Sequence, residues 1–280
     1  MSYSAEISRN NPSCLLFLLD QSGSMNDDWA GEAGKKKADG LATIINRLLQ
    51  NLVLKCAKSE GVRDYYHVGI IGYGSKVGPA LVGPLAGREL VTISEIANSP
   101  ARIEERTKKV DDGVGGLIQQ TVKFPVWFDP AARGGTPMCQ ALLTAERILT
   151  EWIGQHPDAY PPMVINITDG ESTDGNPTGA AEQLRSLKTS DGAVLLFNIH
   201  LSSQRAEPVE FPHTEENLPD DYAKLLFNIS SQLPEATRVI AEQEGYRLGA
   251  GARGFVFNAD MVSLISFLDI GTRAADDNLR

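Results

Sequence analysis

From Cys14 to Leu19 the chain is apolar without a break, the pattern of a strand covered on both faces of a sheet. A polar loop follows, and Met25 to Gly34 is rich in Asn, Asp and Gly. From Lys35 to Lys58 the apolar residues Ala38, Leu41, Ala42, Ile45, Leu48, Leu49, Leu52, Val53 and Cys56 return every three or four positions, which predicts a long amphipathic helix laid on that sheet. Tyr66 to Tyr73 and Glu89 to Ile93 read as two further strands, paired antiparallel to give one edge of the sheet. The Gly- and Pro-rich segment between them ends regular structure. Between Ser94 and Arg133 the pattern predicts a short helix at Ile103 to Val110 and irregular chain elsewhere, including the glycines at 113, 115 and 116.

Thr136 before Pro137 reads as an N-cap followed by a first helical residue. The helical spacing of Met138, Ala141, Leu142, Ala145, Ile148, Leu149 and Trp152 continues from it. Met163 to Thr168 is another short apolar strand, Thr178 to Lys188 a helix, Ala193 to Ile199 and Gly254 to Phe257 strands, and Asp260 opens a last helix through Met261, Leu264, Ile265 and Leu268. Strands alternating with helices predict a single α/β domain over 1–280 with its core at about 14–268, a mostly parallel central sheet with one antiparallel edge strand, and helices on both faces. Two segments break the rhythm, 94–133 and the Pro- and acid-rich 201–233, and both read as insertions. The tail from Ala274 to Arg280 reads as frayed.

A formal charge of −10 over 280 residues leaves no dominant basic surface to release counterions, so nucleic acid is not an expected partner. The one compact basic run, Lys35-Lys36-Lys37, reads as a solvated face at the start of a helix. The longest apolar runs are too short to cross a bilayer, and Met1 to Asn11 has no apolar segment leading to a small-residue cleavage site. A cytoplasmic protein with no membrane partner is expected. Cys14, Cys56 and Cys139 are odd in number and far apart, the usage of reduced core thiols rather than a disulfide frame or zinc site.

Chemistry enters at Asp20-Gln21-Ser22-Gly23-Ser24, where a carboxylate and two hydroxyls leave the end of the first buried strand. Such oxygens suit a hard cation. Asp169 leaves the end of the Met163 to Thr168 strand, and Thr136 begins the helix that leads into it, so all three loops belong at the carboxyl edge, where open parallel sheets bind ligands. Each residue has a plainer role available: Thr136 as a cap, Ser22 and Ser24 as turn residues, Asp169-Gly170 as a turn pair. Their joint placement favours a metal site. Asp27, Asp28, Gly135, Glu171 and Asp174 are candidates for its rim, with Asp129 beside them, or else solvated loop residues. Trp29 and Trp127 are either partner-contact aromatics or packed side chains. The four histidines, His67, His156, His200 and His213, have no spacing suited to a shared metal.

The set Asp20-x-Ser22-x-Ser24, Gly135-Thr136 and Thr168-Asp169-Gly170 resembles the metal-ion-dependent adhesion site (MIDAS) of von Willebrand factor A (vWA) domains, with all five signature positions present. The resemblance runs from about Cys14 to Leu268 and does not account for 94–133 or 201–233. It implies a Rossmann-like vWA fold and a divalent cation, Mg²⁺ by default with Mn²⁺ or Ca²⁺ as alternatives. Ser22 and Ser24 would bind it through their hydroxyls, Thr136 directly or through water, and Asp20 and Asp169 mainly through water. It also implies a non-catalytic adaptor that takes an Asp or Glu carboxylate from a protein partner, of the kind that works beside an ATPase, kinase or phosphatase.

Two other functions compete with that one. A Mg²⁺-dependent phosphohydrolase could use Asp20 as nucleophile, but Ser22 stands where such chemistry wants a second carboxylate, and no Walker loop, nucleophile elbow or dinucleotide fingerprint is present. A passive scaffold with a structural ion is the other.

Overall fold

A computed structural model of the chain describes residues 3–31, 33–111, 117–201 and 207–276. The readings placed on the glycines at 113, 115 and 116, on 202–206 and on 277–280 lie outside the described residues. In chain order the elements are β1 (Ser13–Asp20), α1 (Lys37–Cys56), β2 (Ala57–Lys58), β3 (Gly61–Val62), β4 (Tyr66–Tyr73), β5 (Val77–Pro79), β6 (Val91–Thr92), α2 (Ile93–Asn98), β7 (Arg102–Asp111), β8 (Leu117–Val126), α3 (Met138–Gln155), β9 (Met163–Thr168), α4 (Thr178–Ser186), β10 (Leu195–Leu201), β11 (Val209–Glu210), α5 (Asp221–Ile229), α6 (Glu235–Gln243), β12 (Phe255–Ala259) and α7 (Met261–Asp276).

The main sheet runs β11-β12-β10-β9-β1-β4-β5, with β6 also on β4. Strands β12, β10, β9, β1 and β4 are parallel. At one edge β5 and β6 both pair antiparallel with β4, against Ile71–Tyr73 and His67–Val68 respectively. The expected antiparallel edge is there, but its β6 part is only Val91–Thr92, because Thr92 and Glu95 form a capping box that turns the chain at once into α2. Strand β5 lies inside the Gly- and Pro-rich segment that was expected to be irregular. Its three residues complete the edge, and β11 adds two antiparallel residues at the other.

Alternation along β1 divides the core in two. Leu15, Phe17 and Leu19 face α1, α6 and α7, while Cys14, Leu16 and Leu18 face α3, α4 and α5. Helices therefore cover both faces, as the unbroken apolar run of β1 requires. Cys14 and Cys56 are buried, Cys139 is partly exposed, and none of the three is in a disulfide. Among the described residues no helix is long and apolar enough to cross a membrane.

The helix expected at Ile103 to Val110 is a strand. β7 pairs antiparallel with β8 in register from Arg102↔Val126 to Asp111↔Leu117, making a hairpin separate from the main sheet. The period is two, not three and a half: Glu104 takes ion pairs from Arg102 and Arg106, each at 2.8 Å, across same-face neighbours. The Arg106 guanidinium lies 3.6 Å over the Phe124 ring. The 201–233 segment holds β11 and α5, and α6 follows it; none of the three elements was expected from the pattern.

Candidate metal centre

Asp20 is the last residue of β1 and is buried. Its Oδ1 accepts the Ser22 N–H at 2.7 Å and its Oδ2 accepts the Thr168 hydroxyl at 2.7 Å, so both oxygens are held from behind the loop. Burial pushes its pKa up to about 6 against the hydrogen bonds from Ser22, and the Asp169 charge pushes the same way. Asp20 thus ties the β1 loop to the end of β9.

In front of it the hydroxyls of Ser22 and Ser24 lie 3.0 Å apart. Ser24 donates to Asp169 Oδ1 at 2.7 Å, and Ser22 reaches the same oxygen at 3.5 Å. Thr136 closes the third side. A methyl group built on Gly170 would sit 3.8 Å from Thr136 Oγ1 and 4.0 Å from Ser24 Oγ, so both hydroxyls lie beside the Gly170 turn. Backbone hydrogen bonds hold the loops in this arrangement: Gly23 N–H to Gly134 O (2.9 Å), Arg133 N–H to Gln21 O (2.6 Å) and Ser75 N–H to Arg133 O (2.8 Å). Two glycines are required where the loops cross. Gly134 has φ +91°, and a Cβ on Gly74 would fall 2.5 Å from Gln21 O and 2.6 Å from Arg133 O.

Thr136 is not the cap of its helix. Pro137 occupies that position without a side-chain bond, and α3 begins at Met138. The cap comes from Asp174, whose carboxylate accepts the N–H groups of Cys139 (3.0 Å) and Gln140 (2.9 Å). Desolvation works against that carboxylate, but these bonds and one from Ser172 hold its pKa below the ordinary value. Asp174 is thereby a helix cap rather than a rim ligand, and the Thr136 hydroxyl is left to the site. Thr136 is fixed by its backbone instead, its N–H donating to Thr173 Oγ1 and its C=O accepting the Thr173 N–H, each at 2.9 Å. Gly135 is packed against the same Thr173 hydroxyl, 2.8 Å from where its Cβ would be.

The open alternatives for Trp29 and Trp127 are resolved, and the expectation for Lys37 is corrected. Trp29 is 3% exposed, lies on Gly40 of α1 and donates its indole N–H to Ala259 O at 3.0 Å, so it is packed, not a partner contact. Trp127 is likewise buried, donating to Ile96 O at 2.7 Å. Lys37, expected on a solvated face, is 1% exposed, and its Nζ sits 2.5 Å from Asp169 Oδ2. It belongs to the buried stripe of α1, four residues before Leu41. Asp28 pairs with Lys36 at 2.9 Å, Asp129 pairs with Arg102 at 2.7 Å, and Asp27 and Glu171 are exposed.

Among the described residues no three His, Cys, Asp or Glu side chains come together as a metal site. The donors that do converge are the Ser22 and Ser24 hydroxyls and the Asp169 carboxylate, with Asp20 behind them and the Thr136 hydroxyl beside Gly170. All are hard oxygens, so the residues fit Mg²⁺, Mn²⁺ or Ca²⁺ and not a soft metal. Mg²⁺ asks for six oxygens in octahedral array, which this set supplies only with water or an external oxygen.

Two neighbours escaped the sequence reading. The Tyr222 hydroxyl, from α5, donates to Gly170 O. His200, near the end of β10 and paired in register with Thr168, stacks on Phe257 at 4.4 Å. Burial pushes its pKa from 6.5 down to about 4. Below pH 6.5 the unfolded chain takes a proton that the folded chain refuses, so this group's contribution to stability falls as pH drops toward 4. Asp20, with its raised pKa, acts in the opposite direction over much of that range, so the diagnostic quantity is a difference. Wild-type stability minus that of His200→Phe, measured by urea unfolding, is expected to fall by about 1 kcal/mol per pH unit from pH 6 to pH 4. A difference that stays constant with pH would show that His200 titrates normally.

No family model matches the sequence, and no curated protein does. Among solved structures, the chain is similar to the PilB minor pilin from Streptococcus sanguinis, at 12% identity over 95% of this chain and 62% of that one, with a TM-score of 0.48. It is similar to the vWF domain of the type V pili tip protein Mfa5 from Porphyromonas gingivalis, at 15% identity over 58% and 39% with a TM-score of 0.31. It is also similar to the ArnB paralog VWA2 from Sulfolobus acidocaldarius, at 12% identity over 68% and 35%, again with a TM-score of 0.31. The chain spans about three fifths of the length of the first and less than two fifths of the other two. At these scores the likenesses say nothing about the chemistry of the site, which stands on its own geometry.

Proposed function

We propose that the chain is a non-catalytic protein-binding module whose grip depends on a divalent cation, Mg²⁺ by default, held by Ser22, Ser24, Thr136, Asp20 and Asp169. The observation that carries this reading is the convergence of the Ser22 and Ser24 hydroxyls on Asp169 Oδ1 at the carboxyl edge of the sheet, with Ser24 open to solvent. A cation held there would supply an electrophilic coordination position for a carboxylate oxygen of a partner. The chain's own part is to present the Ser24 hydroxyl toward solvent, with the buried Ser22 and Thr136 hydroxyls and both carboxylates behind it, so that the ion's charge would be incompletely neutralised from below. Asp20 supports the non-catalytic reading: it is buried and each of its oxygens already accepts a hydrogen bond, from the Ser22 N–H and the Thr168 hydroxyl, which suits a carboxylate that organises the loop and poorly suits a nucleophile. Three cysteines outside any disulfide fit work in a reducing cytoplasm.

The test is co-purification of partners on the immobilised chain, in Mg²⁺ or in excess EDTA, alongside the Ser22→Ala/Ser24→Ala double variant. Partners are expected to be held in Mg²⁺ and lost both with EDTA and with the double variant. Retention indifferent to both treatments would refute cation-dependent docking.

A further inference from the structure

The adhesion-site signature contains no lysine, yet the described structure places one in the site. Lys37 opens α1, and the chain reaches it through a short antiparallel arrangement: Trp29 N–H donates to Lys35 O at 2.7 Å, Lys37 N–H donates to Asp27 O at 3.1 Å, and Asp28 bridges to Lys36. That arrangement directs the Lys37 side chain inward. Its ammonium meets Asp169 Oδ2, while the Ser24 and Ser22 hydroxyls meet Oδ1. The two oxygens of one carboxylate thus face different partners, a fixed monovalent cation on one side and the candidate divalent position on the other. The Asp169 side chain is fully buried, so this charge pairing is little screened by solvent.

Counting charge shows the consequence. Asp20 and Asp169 contribute −2, and Lys37 returns +1, so the site carries −1 before a divalent cation binds and +1 after. Without the lysine those values would be −2 and 0. Resting on the cation-dependent reading above, we propose that Lys37 is a built-in counter-cation that weakens the site's hold on its divalent ion and strengthens its hold on an anionic partner. Opposite charge close to a binding position favours an anion, and like charge disfavours a cation, most strongly where water is excluded. A monocarboxylate is the simplest ligand that would register both effects.

The experiment compares wild type, Lys37→Gln and Lys36→Gln. Glutamine at 37 keeps a hydrogen-bond donor for Asp169 and removes the charge; Lys36→Gln removes the same charge one residue away, where the side chain is solvent-exposed and paired with Asp28. Mn²⁺ binding is read from the electron paramagnetic resonance of the free ion, and acetate binding to the Mn²⁺-loaded protein from the fall in water-proton relaxation. Lys37→Gln is expected to bind Mn²⁺ about tenfold more tightly and, once loaded, acetate about tenfold more weakly, with Lys36→Gln matching wild type in both. A thermal melt in saturating Mg²⁺ confirms that each variant is folded. Mn²⁺ bound by wild type with unchanged or lower affinity in Lys37→Gln, or an equal effect from Lys36→Gln, would overturn the inference alone. Absence of Mn²⁺ binding in all three would overturn the cation-dependent reading with it.

Discussion

Asp20→Asn is expected to cost the chain its divalent cation, with affinity falling about 100-fold, and yet to leave it folded. The substitution keeps the shape of the side chain and one carbonyl oxygen, so the Ser22 N–H, now 2.7 Å from Oδ1, retains its acceptor. The new amide meets Thr168 Oγ1, which can accept from it and donate instead to Gly170 O, 3.1 Å away. What disappears is one of the site's two negative charges, and with it much of the attraction for an ion otherwise met by neutral hydroxyls. Stability of the metal-free protein should move the other way. Because burial raises the folded-state pKa from 3.8 to about 6, the ionised carboxylate costs the fold about 3 kcal/mol at pH 7, a cost absent below pH 3.8 and lacking altogether in the variant. Urea unfolding at pH 7 in EDTA should therefore find the variant at least as stable as wild type. A large loss would mean that Asp20 is mainly a structural tie.

Asn46→Ala should have the largest effect on folding, about 4 kcal/mol. Asn46 is 2% exposed within α1 and uses its whole amide. Its Oδ1 accepts the N–H groups of Trp127 (2.7 Å) and Phe128 (3.0 Å), and its Nδ2 donates to Ala42 O and Phe128 O, each at 2.8 Å. The side chain is the clamp by which α1 holds the chain as it leaves the β7–β8 hairpin toward the 133–137 loop. Alanine would leave two buried N–H groups and the Phe128 carbonyl without this partner, each costing about 1–3 kcal/mol, and would open a small cavity. That is a large part of the 5–15 kcal/mol typical of a folded domain. A urea-unfolding difference below about 1 kcal/mol would show that the freed groups find water or other partners.

The parallel frame was legible because β1, β9 and α1 carry unbroken or periodic apolar patterns, and periodicity is what burial enforces. The site's outline was legible for a related reason: Asp20, Thr136 and Asp169 all stand at element ends, and the topology of a parallel sheet sends those ends to one edge. Lys37 was not legible as a site residue. Charge argues for solvent, and only its place four residues before Leu41 on the α1 stripe pointed inward. The capping role of Asp174 was legible neither as a rim nor as a solvated-loop residue, because capping α3 from the loop after β9 is set by tertiary contact rather than by local sequence. The β7–β8 hairpin is poorly legible because β7 carries few apolar residues to set a period; the alternation that marks it is one of charge, Arg102, Glu104 and Arg106, and not of burial.

Titration of the wild-type chain with Mn²⁺, followed by the electron paramagnetic resonance of the free ion, tests the central claim most directly. The account predicts one ion per chain, displaced by Mg²⁺ and lost in Asp20→Asn. No binding by the wild type, or equal binding by the variant, would contradict it.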